Sequence, residues 1–330
     1  MMNTVQAVTS LVPLCSMALL CLARRDKVMS YPFGVSETKP LRGLLAICLI
    51  ANHADYRLFA WGGIIVCIFF FLSSYGLMKS YLTKGDAYLQ GFLSKRLSAI
   101  LIPFFVAMVA FHLITLTTAG TSAYNPHMQE VLFRGDTTLI LPYSWFIFAI
   151  ILIYIAFYLA WRMSGNIRKL ICVFTILEFA FVAFLMLIPR FGGQWAESAF
   201  ALPMGMCLAL YEDRVSNYLT RYSATLSVAL LFVTLAIVVA SLYVPYTGYI
   251  INLFVPALVY MFIRTCSIKC LFIDWLGSIS LELYLVHGIV IFSMRRLFES
   301  NHAIAIVSIF VSIASAYLLS ISCKRLRNII

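Results

Sequence analysis

The chain alternates long, continuously apolar stretches with short basic junctions, and these stretches are longer than ordinary strands and less amphipathic than soluble helices. Eleven can be marked, near residues 5–23, 41–60, 62–82, 97–118, 143–161, 170–188, 196–211, 223–243, 247–264, 275–293 and 303–322. A hydrocarbon core of about 30 Å is crossed by about 20 helical residues rising about 1.5 Å each. A β-barrel needs shorter segments of alternating polarity. The pattern therefore predicts an all-α, polytopic integral membrane bundle of about eleven transmembrane helices.

Composition agrees. With 63% hydrophobic and 11% charged residues, the 330-residue chain has too little polar surface to coat a water-facing globule. Eleven spans use about two thirds of the chain, so any chemistry must lie inside the bundle or on its rims. The first stretch is followed by Arg24, Arg25 and Lys27 rather than preceded by basic residues, the reverse of a secretory signal, and reads as a retained helix.

Charge sets the expected orientation. Alternate junctions on one side carry 19 of the 24 lysines and arginines, and the other side carries Arg57, Arg134, Arg190, Arg295 and Arg296. The positive-inside rule predicts a multi-pass protein of the inner (cytoplasmic) membrane, with its N-terminus outside and its C-terminus in the cytoplasm. The net charge of +11 is thus topological and does not call for a nucleic acid partner. The nine cysteines lie in apolar spans or on the basic side, where thiols stay reduced, and Cys266 and Cys270 form one CxxxC without a second pair. No metal is expected. The loop at about 119–142, with His127, Glu130, Arg134 and Asp136, is a candidate rim or lid.

Ionisable residues at bilayer depth are costly and mark sites or pathways. The spans hold His53, His112, Glu178, Glu282 and His287. Arg42 and His53 share a helix face, because eleven residues at about 100° each return to within about 20°, and they lie about 16.5 Å apart along the axis. A guanidinium suits phosphate and an imidazole suits proton transfer near neutral pH. The same pair also fits blander roles, as a snorkelling anchor and a hydrogen-bonded core histidine. His112 and Glu178 fit interhelical hydrogen bonding.

Leu41-Arg42-Gly43 with His53 resembles the first core helix of the acyltransferase-3 family of membrane acyltransferases. Further stretches agree in order: Phe69 to Gly76 (FFFLSSYG), Ser94 to Phe104 (SKRLSAILIPF), Trp145 to Tyr154 (WFIFAIILIY) and Leu276 to His287 (LGSISLELYLVH). The resemblance covers about residues 39–322 and implies a ten-helix acyltransferase domain at 39–330, preceded by an extra transmembrane helix and linker at 1–38. It implies O-acyl transfer, acetyl foremost, from cytoplasmic acetyl-CoA or another acyl-CoA to a hydroxyl of a cell-envelope polysaccharide or lipid-linked glycan. His53 and Arg42 would be catalytic, with Arg42, Lys95 and Arg96 gripping the CoA phosphates. Ser73, Trp145, Tyr154, Glu282, Tyr284 and His287 would line the substrate space, although Trp145 and Tyr154 equally suit interfacial anchors. The chain departs from the family pattern at Ser74, at Ala99 in place of a second basic residue, and at Ser144. A secondary transporter or flippase for lipid-linked sugars is the alternative class, but no internal duplication supports it.

Overall fold

A computed structural model describes residues 4–27, 29–55, 62–119, 141–187, 193–244, 247–268 and 270–327, and every regular element among them is helical. The α-helices are α1 (Thr4–Ala23), α2 (Val35–Ala54), α3 (Gly62–Lys84), α4 (Phe92–Ala119), α5 (Trp145–Met163), α6 (Ile167–Met186) and α7 (Gly193–Ser198). They continue with α8 (Ala201–Arg221), α9 (Ser223–Tyr243), α10 (Thr247–Thr265), α11 (Leu271–Ser278), α12 (Ser280–Met294) and α13 (Asn301–Arg327).

Among the described residues, each of the eleven apolar stretches overlaps a helix. Among the described residues five helices, α3, α4, α5, α6 and α13, are individually long and apolar enough to cross a bilayer, and the count reaches seven when two bent pairs are taken as one span each. Shorter apolar helices cover Val12–Ala23 and Tyr249–Thr265. The expected helix at 275–293 is broken at Ile279, where φ −116° and ψ 20° turn α12 by 77° from α11. The stretch expected to reach residue 60 stops as helix at Ala54, with Asp55 as its cap. His127, Glu130, Arg134 and Asp136 lie outside the described residues.

Apolar side chains gain little by leaving lipid for other apolar side chains, so helices in a bilayer associate through close van der Waals packing at small residues. The centre of this bundle follows that rule. The apolar window of α3 is 67% buried against 28–39% for the other four spans, which makes α3 the most enclosed of them. It packs against α2, α7, α8 and α10, and Gly205 of α8 lies so close that an added Cβ would meet the Phe71 carbonyl at 2.5 Å. On its other side α2 packs against α11, α12 and α13. There Gly43 faces α11, and an added Cβ would stand 2.6 Å from the Ile273 carbonyl oxygen and 2.7 Å from the Gly277 nitrogen. Helix α1 packs against α9 and α10, burying Leu14, Ala18 and Cys21.

This contact is testable. Gly43→Ala is expected to lower the melting temperature in detergent, reflecting a destabilisation of about 1–3 kcal/mol from overpacking. Gly76→Ala, whose new Cβ would have nothing within 4 Å, is expected to leave the melting temperature unchanged or higher because alanine is the better helix former.

Candidate functional site

Five helices, α2, α3, α4, α5 and α12, enclose a cavity of about 440 Å³ at the basic end of the bundle. Its lining follows helical spacing from each wall. Thr38 and Arg42 come from α2, and Ser73, Gly76, Leu77 and Ser80 from one face of α3. Arg96 and Ile100 come from α4, Phe146, Ile150 and Tyr154 from α5, and Leu281 and Tyr284 from α12. Arg42, Ser73, Arg96, Tyr154 and Tyr284, scattered over 243 positions of sequence, therefore meet in one space.

The cations in this cavity are held differently. Arg96 donates from Nη2 to the Tyr88 hydroxyl at 2.6 Å and lies 5.6–5.9 Å from the ring centroids of Tyr88, Phe92 and Tyr154, so hydrogen bonding and cation–π contact fix its fork. Arg42 is different: its Nε is buried without a hydrogen-bond partner. A buried donor left unpaired costs about 1–3 kcal/mol, and the cavity beside it is the space from which an acceptor would come. Lys79, on the last turns of α3, also lines the cavity, and its Nζ pairs with Glu212 at 2.6 Å.

The second half of the site lies at the other end of α2. The ring of His53 stacks on Tyr143 at 4.0 Å and 22°, and its centroid is 5.2 Å from that of His287. Tyr143 and His287 are themselves 5.5 Å apart, closing a triangle of three rings. Gly288 permits this arrangement, because an added Cβ would stand 2.5 Å from the Pro142 carbonyl and 2.9 Å from the Pro142 Cβ. The turn ahead of α5 thus rests directly on α12. Tyr143 occupies the left-handed region at φ +64°, uncommon for a side chain of its size and associated with functional sites. Its carbonyl accepts a hydrogen bond from the Tyr284 hydroxyl. His287 is fully buried, and its Nδ1 bonds to the Tyr284 carbonyl, which can only accept. That contact puts the proton on Nδ1 and leaves Nε2 bare, and Nε2 has no hydrogen-bond partner.

Tyr284 joins the two halves. It lines the cavity, and its ring centroid lies 5.3 Å from that of His287. His53 is not part of the cavity wall: the space reaches Tyr284, and the histidines stand behind it.

The remaining expected residues are placed elsewhere. Lys95 is exposed on the first turn of α4 and does not line the cavity, and Glu282 stands on the first turn of α12 outside the lining. Trp145 is buried against Phe146 and Trp195, with centroids 6.3 and 5.7 Å away. Glu178 Oε2 is buried without a hydrogen-bond partner. His302 lies on the first turn of α13, and its Nδ1 is 2.9 Å from Asp55 Oδ2. Sequence reasoning missed Lys79 and Tyr143. Lys79 could have been reached by extending the helix that carries Ser73, whereas a left-handed tyrosine after a long loop leaves no sequence signal. Among the described residues, no group of three or more His, Cys, Asp or Glu is placed to hold a metal ion.

A family model described as an acyltransferase domain matches residues 41–324, a span containing all the helices that wall the cavity except the first six residues of α2. No curated protein and no solved structure matches the chain.

An arginine retained for a ligand rather than for the fold should cost stability. Arg42→Met is expected to leave the melting temperature of the ligand-free protein unchanged, or to raise stability by about 1–2 kcal/mol. A clear fall in detergent melting experiments would mark the guanidinium as a structural partner instead.

Proposed function

The chain belongs to the acyltransferase-3 family of membrane acyltransferases, and from that premise we propose that it transfers an acyl group, acetyl foremost, from acyl-CoA to a hydroxyl of a cell-envelope polysaccharide or lipid-linked glycan. In this reading the basic end faces the cytoplasm of an inner-membrane protein, following the positive-inside rule. The observation that carries it is the buried, unpartnered Nε of Arg42, a residue that lines the cavity and lies on the same helix as His53. The family assignment also favours group transfer over the transporter or flippase reading.

Arg42 and the caged Arg96 offer a polyanionic donor charge-assisted hydrogen bonds in a partly dry space, where such bonds are strongest. The flexible arm of the donor passes Phe146 and Tyr284 and carries the thioester toward His53. There the imidazole removes the proton of the acceptor hydroxyl as oxygen attacks the thioester carbonyl. The tetrahedral intermediate collapses by breaking the carbon–sulfur bond, and the imidazolium returns its proton to the departing thiolate. Products are an ester and CoA with a free thiol. Tyr143, stacked on the His53 ring, and Arg295, whose Nη2 bonds to the His53 carbonyl at 3.1 Å, hold the base in place. This division lets donor and acceptor approach from opposite faces without the nucleotide crossing.

Sealed vesicles with the basic face outward, given radiolabelled acetyl-CoA, are expected to deposit label in glycan. His53→Ala is expected to lower this by at least about 100-fold, with the variant still monodisperse in detergent. Undiminished labelling by that variant would remove His53 from the chemistry.

A further inference from the structure

We infer that Lys79 is a third cation of the donor site, parked on Glu212 and handed to a phosphate group of the ligand when the cavity fills. The inference rests on the acyl-CoA reading above and adds a residue and a mode of recognition to it.

The two partners of the Lys79–Glu212 pair are unequally placed. The lysine side chain is 47% exposed and lines the cavity, while the carboxylate is 10% exposed. Glu212 is also held by groups that stay behind. The Tyr75 hydroxyl donates to the same Oε2 at 2.7 Å, and Arg264 Nη1 lies 3.6 Å from Oε1. Arg264 is itself pinned by a hydrogen bond of 3.0 Å from Nη2 to Ser216. When the ammonium swings away, the buried carboxylate therefore keeps a hydrogen bond and a counter-charge.

Lys79 is built to move where the arginines are not. Arg96 is locked by Tyr88 and its surrounding rings, and Arg42 sits on a helix fixed by the Gly43 contact. An ammonium on a four-carbon stem has three donors and free rotation about each bond, so it can turn toward a second anion without distorting α3. Moving from carboxylate to phosphate exchanges one charge-assisted bond for another. The cavity then presents three positive groups, Arg42, Lys79 and Arg96, to a ligand bearing several phosphates.

Calorimetric titration of the full-length protein in detergent with CoA, and separately with pantetheine, which has the arm but no phosphate, tests this directly. Lys79→Met is expected to weaken CoA binding about tenfold while changing the pantetheine Kd by less than about twofold. Lys79→Arg is expected to recover most of the CoA affinity, which a loss caused by misfolding would not allow. Equal weakening for both ligands, or no weakening for CoA, overturns the role of Lys79 and leaves the donor reading standing. Failure of the unmodified protein to bind CoA removes the donor reading and this inference together.

Discussion

The backbone contact between α2 and α11 at Gly43 fixes the rotation of α2 about its own axis, and most of the site depends on that rotation. With Gly43 held against Ile273 and Gly277, Arg42, one residue and about 100° around the helix, is delivered to the cavity walled by α3, α4, α5 and α12. Three turns further on, the same rigid rod delivers His53 to Tyr143 and His287. In lipid such a contact cannot be replaced by a general preference for apolar burial, because lipid tails are equally apolar.

The structure separates two environments that group transfer from a nucleotide carrier would use separately. One end supplies cations for an anion, and the other supplies stacked imidazoles with a bare buried nitrogen. Tyr284 belongs to both: its ring lines the cavity, its hydroxyl ties down the Tyr143 carbonyl, and its own carbonyl sets the His287 tautomer. A single side chain thus touches both environments.

Much of this was legible in the sequence because helical periodicity is rigid. Once Arg42, Ser73, Arg96, Tyr154 and Tyr284 are marked, steps of three, four and seven residues reach Thr38, Gly76, Leu77, Ser80, Ile100, Ile150 and Leu281, all of which line the cavity. The reading departs from the structure where a motif is taken as a block rather than face by face, and where the path of the chain is not set by periodicity. Lys95 sits beside Arg96 in sequence, yet one residue around a helix points it outward, while Lys79 on a different helix points in. Tyr143 depends on a left-handed backbone and on the absence of a side chain at Gly288, neither of which hydropathy records. The break at Ile279 falls within Gly277-Ser278-Ile279-Ser280, a breaker signal short enough to be read through as part of one apolar span.

That break has an electrical consequence. By ending α11 and starting α12 afresh, it places Ser280 and Leu281, the opening residues of a 15-residue helix, on the cavity wall. The first amide groups of a helix have no carbonyl partner one turn back, and the aligned peptide dipoles leave roughly half a positive charge there. The protein thereby gains electropositive character from main-chain geometry alone, which no mutation of a basic side chain removes.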